Sequence, residues 1–234
     1  AMTDAIAQAA RAVASHGTEI VAVQPSFGPV SIECHYDEAF AAAGVAEQVR
    51  LAQAHPDGPP DAVVVACFGD PGLEAAREAT DAPVLGIAEA AFHAAGMLAT
   101  GFSVVTTMTR TCIMAERLLQ RYGADQHCRG VHGTDIPVLD LECCGEATLS
   151  QIEDAAREAL ARDRSGAIVL GCAGMAPLCA TLSERLGVPV IDGVAVAVKF
   201  AEALVGLGLR TSKHGDYAPP LPKPYVGWAS AMRW

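Results

Sequence analysis

The chain has 234 residues, of which 51% are hydrophobic and 18% charged, with a formal net charge of −11. This length and apolar content allow a buried core and exclude an intrinsically disordered protein. The negative charge and the scattered Lys and Arg residues exclude a basic nucleic-acid surface and disfavour anionic membranes. The N-terminus lacks an export signal pattern, and the uncharged run 165–183 contains Gly and Pro, so we expect a cytoplasmic protein without membrane spans.

Helical and strand patterns alternate along the chain. The predicted helices cover 1–15, 37–54, a segment from about Pro71, 88–99, 110–122, 147–163, 177–186 and 193–207. The predicted strands cover 18–23, 62–66, 83–87, 102–106, 136–141, 167–170 and 188–191. Continuous apolar strands that alternate with helices are typical of parallel sheets covered on both faces, so the predicted fold class is α/β.

Two parts of the chain match each other. DAVVVACFGDPGL and then DAPVLGIAEAA in the first half correspond to GAIVLGCAGMAPL and then GVPVIDGVAVA in the second. In each, an apolar strand leads to a cysteine, Cys67 or Cys172, a glycine and a helix that starts near a proline. Any two strand–helix–strand units look alike, but such a unit does not require a cysteine at a matching place. The match predicts two pseudo-symmetric lobes, each a mainly parallel sheet flanked by helices, with the active site between them.

The predicted lobes are residues 1–100, with Cys67, and residues 101–192, with Cys172. The C-terminal segment 193–228, which opens with a helix, is expected to pack back on the first lobe. The second lobe begins with the strand FSVVT, whereas the first begins directly on its helix at Ala1. By this internal symmetry, an opening strand and a turn are expected to precede Ala1.

Cys67 and Cys172 fall at the predicted carboxyl ends of strands, where open α/β sheets bind their ligands. Each is followed by a helix start, whose free N–H groups favour an anion and are expected to lower the thiol pKa. If the lobes face each other, one cleft presents a thiol to each side of a carbon acid. One thiolate can then remove a proton while the other thiol donates one to the opposite face. The pattern predicts a racemase that needs no cofactor.

The planar intermediate of such a reaction is an enolate, whose oxygen requires hydrogen-bond donors. The candidate donors are the turn amides of Phe68, Gly69, Asp70, Ala173 and Gly174. The candidate substrate contacts that follow a strand are Thr106 and Thr107, and a helix cap at Thr107 or Thr109 is an equal explanation. Four apolar side chains fit either a substrate pocket or the core: Phe27, Phe68, Phe92 and Met175.

No cofactor or metal is predicted. The three lysines lie in no setting typical of a pyridoxal Schiff base, and the chain has no GxGxxG, P-loop or HExxH motif. The seven histidines form no obvious ligand cluster, and we interpret His35, His93 and His132 as structural or exposed. No CxxC pair is present, so the other cysteines are interpreted as small packing residues: Cys34, Cys112, Cys128, Cys143, Cys144 and Cys179.

Several motifs resemble the aspartate/glutamate racemase superfamily and, within it, the hydantoin racemases. They are PSFGPVSIE at 25–33, ACFGDPGL at 66–73, VVTTMTR at 104–110, IVLGCAGM at 168–175, GVPVIDGVAVAV at 187–198 and TSKHGDYAPPLPKPY at 211–225. The resemblance implies cofactor-free racemization of 5-substituted hydantoins, with Cys67 and Cys172 as the acid/base pair, in a homo-oligomer. Members of that family usually open with a strand and an Asn-Pro-Asn-type loop, which agrees with the segment that symmetry leads us to expect before Ala1.

Related activities remain as alternatives. Allantoin racemase shares both thiols, so only the polarity of the pocket separates it. Glutamate and aspartate racemases follow their cysteines with Asn-Thr and Thr-His, whereas Phe68-Gly69 and Ala173-Gly174 suit a neutral ring. Arylmalonate decarboxylase relies on one cysteine, and the GCAGM and tail motifs disfavour maleate isomerase. A two-lobed binding protein without chemistry would not need a thiol in each lobe.

Overall fold

A computed structural model describes residues 2–143 and 145–232. The α-helices are α1 (Met2–Val13), α2 (His35–Ala52), α3 (Leu73–Ala79), α4 (Ile87–Leu98), α5 (Cys112–Arg121), α6 (Glu146–Asp163), α7 (Cys179–Leu186) and α8 (Gly193–Gly206). The strands are β1 (Val63–Val65), β2 (Val84–Gly86), β3 (Phe102–Thr106), β4 (Cys128–Gly133), β5 (Ala167–Leu170) and β6 (Val190–Ile191). Short 3-10 helices cover Thr109–Thr111, Val138–Cys143, Ala173–Leu178 and Gly227–Ala231.

The strands form two parallel sheets. Strand β1 pairs with β2, and the second sheet has the order β4-β3-β5-β6. Every residue of the inner strands β3 and β5 is buried, because helices cover both faces of this sheet. The predicted α/β class, with parallel sheets flanked by helices, is confirmed.

Two strand predictions are wrong. Residues 18–23 pair with no strand in the described part of the chain, and the side chains of Val21 and Val23 are 72% and 64% exposed. The predicted strand 136–141 is largely a 3-10 helix, and the strand lies earlier, at Cys128–Gly133. That segment, CRGVHG, is polar and rich in glycine, so it lacks an apolar signal, yet as an edge strand it pairs with β3. The opening strand expected before Ala1 lies outside the described residues.

The largest core cluster lies around α4 and α8. Helix α8 packs against α4 and α1 and also contacts strands β1 and β2. Its buried face repeats at helical spacing through Val194, Ala197, Val198 and Ala201. This helix ends at Gly206, so the segment 193–228 is not helical throughout. A second cluster, which includes Ile152, Ile168 and Leu182, joins α6, β5 and α7.

The C-terminal tail is bonded to the end of α3. The Lys213 ammonium group donates hydrogen bonds to the carbonyls of Arg77 and Glu78 and to that of Tyr217. The Arg77 guanidinium carbon lies 5.9 Å from the centre of the Tyr217 ring. The last carbonyls of a helix lack intrahelical donors and carry partial negative charge, so a cation stabilises this end. Lys213 and Tyr217 of the motif at 211–225 therefore attach the C-terminal tail to α3.

Helices α4 and α8 follow equivalent strands but receive their N-terminal caps from different segments. Asp192, three residues after Pro189, accepts two N–H groups of α8 at 2.9 and 3.0 Å. The equivalent position after Pro83 is Gly86, and there Asp70 accepts two N–H groups of α4 at 3.0 and 2.9 Å. A Cβ atom on Gly86 would lie 2.2 Å from the carboxyl carbon of Asp70. The glycine thus leaves the space that the Asp70 carboxylate fills.

Candidate active site

Cys67 lies two residues after β1, in a tight turn that leads towards α3. The Asp70 N–H donates to the Cys67 carbonyl at 2.9 Å, and Asp70 has a left-handed backbone with φ 44°. The Asp70 carboxylate also accepts the Tyr122 hydroxyl at 2.9 Å. Burial raises the pKa of Asp70 to about 6, although its hydrogen bonds act in the opposite direction. This carboxylate fixes the Cys67 turn to α4 and α5.

Cys172 lies two residues after β5 and directly before the 3-10 helix Ala173–Leu178. The Met175 N–H donates to the Cys172 carbonyl at 3.0 Å, as Asp70 does in the first turn. The Thr106 hydroxyl donates to the Gly171 carbonyl at 2.8 Å. A Cβ on Gly171 would lie 2.4 Å from the Cβ of Thr106. The end of β3 and the Cys172 turn are therefore in close contact.

Cys67 and Cys172 are free cysteines, and each is partly exposed as a residue although its sulfur is deeply buried. The charge of the Cys172 thiolate contributes to raising the pKa of Cys67, after the larger effect of burial. Two groups influence each other in this way only when they are near in space. The fold therefore brings the two strand-end turns into electrostatic reach of each other.

The expectation of lowered thiol pKa values is wrong. Burial raises the pKa of Cys67 to about 12 and that of Cys172 to about 11. The predicted turn amides do donate to the sulfurs, through the N–H groups of Gly69 and Gly174, and these bonds lower the pKa. Desolvation of a thiolate outweighs them, because few donors surround each sulfur. At neutral pH both thiols are therefore protonated in the resting protein.

The five predicted turn amides differ in what they bind. Those of Asp70, Gly69 and Gly174 are occupied, the first by a carbonyl and the other two by the neighbouring sulfur. The Phe68 N–H has no acceptor in the part of the chain that the structure describes. Ala173 is the first residue of a 3-10 helix, where N–H groups lack an intrahelical acceptor. Phe68 and Ala173 are thus the amides best placed to serve a ligand.

The two threonine candidates also differ. The Thr106 hydroxyl is committed to a carbonyl of the neighbouring strand end. Thr107 is 4% exposed, and no partner for its hydroxyl is found among residues 2–143 and 145–232. Neither Thr107 nor Thr109 caps the following 3-10 helix, because its N-cap position is Met108 and no side chain makes a cap hydrogen bond there. Thr107 therefore keeps a hydroxyl free near the end of β3.

Three of the four apolar candidates belong to the core. Phe68 and Phe92 pack edge to face with ring centroids 5.5 Å apart, and Met175 is fully buried. Phe27 is half-buried at the surface, where it contacts Trp228 with a centroid distance of 5.5 Å. The alternative of core packing is therefore correct for the first three.

Two carboxylates that the sequence analysis did not single out border the thiols. Glu38 adds to the effect of burial in raising the pKa of Cys67, and Glu33 does the same for Cys172. Both belong to residues 33–38, at the start of α2. Glu33 ends the motif at 25–33, and this likeness to the family was the available signal. No spacing rule would have indicated that the two side chains approach the cysteines.

The other cysteines and histidines have structural settings. The Cys128 and Cys179 thiols donate to backbone carbonyls at 3.3 and 3.0 Å and pack against the two main cores. His132 pairs with Asp163 at 2.5 Å, and His93 is exposed. Cys144 and the side chain of Cys143 lie outside the described residues.

Within residues 2–143 and 145–232, no three His, Cys, Asp or Glu side chains are grouped so that they could hold a metal ion. None of the described helices combines the length and apolar character required to cross a membrane.

Known proteins resemble this chain over almost its full length. The Asp/Glu/Hydantoin racemase family matches residues 1–201. Hydantoin racemase of Pseudomonas sp. (strain NS671) is 47% identical over 97% of this chain and 90% of its own length. The corresponding values for hydantoin racemase of Rhizobium meliloti are 44%, 97% and 92%.

A solved structure, allantoin racemase from Klebsiella pneumoniae, is 54% identical and superimposes with a TM-score of 0.94. The match covers 99% of this chain and 93% of that one. Glutamate racemase RacE1 from Bacillus anthracis, 22% identical with a TM-score of 0.53, covers 76% of this chain and 70% of its own, and shares the fold. The chain therefore belongs to the Asp/Glu/Hydantoin racemase family and is an isomerase of the racemase class.

Proposed function

We propose that the protein racemizes 5-monosubstituted hydantoins without a cofactor, using Cys67 and Cys172 as opposed acid and base. The observation that carries the proposal is the placement of two free cysteines on equivalent strand-end turns, near enough for the charge of Cys172 to act on Cys67. The similarity to hydantoin racemases over 97% of the chain supports the choice of substrate.

In the proposed reaction, one cysteine starts as a thiolate and the other as a thiol. The thiolate takes the proton from the ring carbon C5, so the C–H bond breaks and its electron pair moves to the adjacent carbonyl as an enolate. The second thiol then donates its proton to the opposite face of C5 and becomes the thiolate. The Phe68 and Ala173 amides, one beside each cysteine, are the proposed donors to the enolate oxygen.

The raised thiol pKa values fit this chemistry in one respect. A thiolate whose conjugate acid has a pKa near 11 or 12 is scarce at neutral pH, but it is a stronger base than an ordinary thiolate. The hydantoin C5 proton is already acidified by the adjacent carbonyl and ring nitrogen. Positioning and oxyanion stabilisation then remain as the task of the protein.

Allantoin is the second candidate substrate, because it is a hydantoin that carries a ureido group at C5. The observation in its favour is the likeness to solved allantoin racemases from Klebsiella pneumoniae, at 54% identity, and Pseudomonas fluorescens, at 43% identity. The same two thiols would perform the same proton transfers on either substrate. The two proposals therefore differ only in the group that the pocket accepts at C5.

Polarimetry on pure enantiomers tests both proposals. The panel is benzyl-, isopropyl- and methylthioethyl-hydantoin, allantoin, and free glutamate and aspartate. We expect loss of optical rotation for hydantoins or allantoin and none for the amino acids. Cys67→Ser and Cys172→Ser should each reduce the rate by about two orders of magnitude or more, as removal of an acid/base group usually does. Cys128→Ser, which keeps a donor for its carbonyl partner, is the matched control and should remain active.

Deuterium exchange distinguishes the two faces. In D₂O, each single variant should exchange the C5 proton of one enantiomer only, because one base survives. Equal exchange of both enantiomers by both variants would contradict the assignment of one thiol to each face. Loss of activity with EDTA would contradict a metal-free reaction.

The family likeness also leads us to propose that the racemase works in the cytoplasm as a homo-oligomer. Sedimentation velocity at assay concentration tests the second part. A single species of the mass of one chain, 24.2 kDa, would contradict it.

A further inference from the structure

Two glutamates are held in place at the start of α2. The Glu33 N–H donates to the Asp37 carboxylate at 3.0 Å, and the Glu38 N–H donates to the Cys34 carbonyl at 3.1 Å. These bonds hold the segment 33–38, which includes the first turn of α2, in a fixed conformation. Glu33 and Glu38 are half-buried, so their carboxylates lie between protein and solvent rather than on the outer surface.

Glu38 faces the Cys67 turn. A Cβ placed on Gly69 would lie 3.9 Å from the Cys67 sulfur and also 3.9 Å from the Oε1 atom of Glu38. The empty side of Gly69 is therefore bordered by the sulfur and by a carboxylate oxygen. The other oxygen, Oε2, lies 3.4 Å from the His35 ring, so Oε1 is the one directed at the turn.

Glu33 lies by the second thiol. Its Oε1 atom accepts the Val138 N–H at 3.0 Å, which links the segment before α2 to the 3-10 helix Val138–Cys143. The negative charge of Glu33 adds to the effect of burial in raising the pKa of Cys172. Each thiol thus has a glutamate carboxylate as a neighbour.

The charges around these glutamates do not cancel them. The strongest charged neighbours of Cys67 besides Cys172 are Asp70 and Glu38, both acidic. Arg110 acts on Asp37, whose pKa is lowered mainly by the Glu33 N–H and in smaller part by that arginine. His35 is the basic neighbour of Glu38, at 3.4 Å.

We propose that Glu33 and Glu38 are specificity-determining residues, which admit neutral rings with N–H donors and exclude substrates that carry a carboxylate near the reacting carbon. This inference rests on the proposed function. Ionised carboxylates accept hydrogen bonds and donate none, so they match the ring and ureido N–H groups of hydantoins. They repel a substrate carboxylate, and like charges brought together in a poorly hydrated cleft weaken binding severely.

A matched pair of substrates tests the proposal. Hydantoin-5-acetamide and hydantoin-5-acetate have almost the same size and differ by one negative charge. For the native enzyme we expect kcat/KM to be at least about tenfold higher for the amide. Glu33→Gln and Glu38→Gln should each reduce this preference about fivefold or more, chiefly by raising kcat/KM for the acetate. Gln keeps an oxygen acceptor for the Val138 N–H, so the fold should survive.

Glu158→Gln is the control. It removes the same charge from an exposed position of α6 and should leave the preference unchanged. If the native enzyme racemizes the amide and acetate equally well, or if both Gln variants keep the native preference, the inference is wrong and the racemase activity stands. If the native enzyme racemizes no hydantoin and no allantoin, the proposed function itself is wrong.

A measurement without substrate provides a second readout. Removal of a negative charge beside a thiol favours its thiolate, so iodoacetamide should modify Cys172 faster in Glu33→Gln at a given pH, and Cys67 faster in Glu38→Gln. Each variant should affect its own cysteine at least about threefold and the other cysteine less. Unchanged rates at both cysteines would contradict the placement of the two charges, even if a variant were inactive.

Discussion

The protonation of the two thiols gives the sharpest test of the site's electrostatics. With pKa values of about 12 and about 11, the thiolate fractions of Cys67 and Cys172 at pH 7 are about 10⁻⁵ and about 10⁻⁴. Iodoacetamide reacts with the thiolate, so the rate at which it modifies each cysteine follows these fractions as they grow with pH. For both residues the rate should rise about tenfold per pH unit between pH 7 and 10.

Peptide mapping by mass spectrometry after timed alkylation of the native protein measures both rates at once. An unstructured cysteine peptide is the control, and its rate should level off near pH 9 because a free thiol has a pKa of about 8.5. The decisive quantity is the slope against pH, since access to each sulfur affects the absolute rate but not the slope. A plateau below pH 9 at Cys67 or Cys172 would refute the reasoning. The turn amides would then stabilise the thiolates more than burial destabilises them.

Three further predictions concern stability, measured as the free energy of unfolding in urea. Gly86→Ala, at the residue before α4, should cost about 2 kcal/mol, because its Cβ meets the Asp70 carboxylate. Gly96→Ala, within α4 and with open space around it, should stabilise by up to about 1 kcal/mol; equal effects would contradict the packing argument. Asp70 has a folded-state pKa of about 6, above the ordinary value of 3.8, so the folded state binds its proton more tightly and stability falls as pH rises from 4 to 6. In Asp70→Asn this loss, about 3 kcal/mol at about 1.4 kcal/mol per unit, should disappear, and parallel pH curves for variant and native protein would disprove it. Lys213→Met should cost about 1 kcal/mol by leaving the α3 carbonyls without a cation, and the exposed Lys223→Met should cost little; a reversed order would contradict the role of the tail.

Much of the architecture could be predicted because buried parallel strands have a strong apolar signal. The strands at 102–106 and 167–170 lie where they were predicted, and those around Val64 and Leu85 differ only at their ends. Strand β4 could not be predicted, because an edge strand needs only backbone partners and its sequence is CRGVHG. Residues 18–23 have strand-like alternation, yet a strand forms only where a neighbour supplies hydrogen bonds.

The candidate site was predictable at its two cysteines and less so around them. The internal match placed Cys67 and Cys172 at strand ends because that position follows from chain order. The direction of their pKa shift was missed, since burial depends on packing from distant segments that a motif does not contain. For the same reason, the approach of Glu33 and Glu38 could not be read from the sequence.

Helix α4 is capped by Asp70 and helix α8 by Asp192, and these two caps lie at different places in the repeated pattern. This difference has a further consequence for the symmetry of the molecule. The Cys67 turn is fixed by the ionisable carboxylate of Asp70, whereas the Cys172 turn has the apolar Met175 at the corresponding position. Burial raises the pKa of both capping carboxylates, so acidification reaches both helices. Protonation of Asp70 weakens a helix cap and the support of a thiol-bearing turn together, whereas protonation of Asp192 weakens only the cap of α8. The two turns share the same backbone hydrogen bond to the cysteine carbonyl, but they respond to protons as unlike parts.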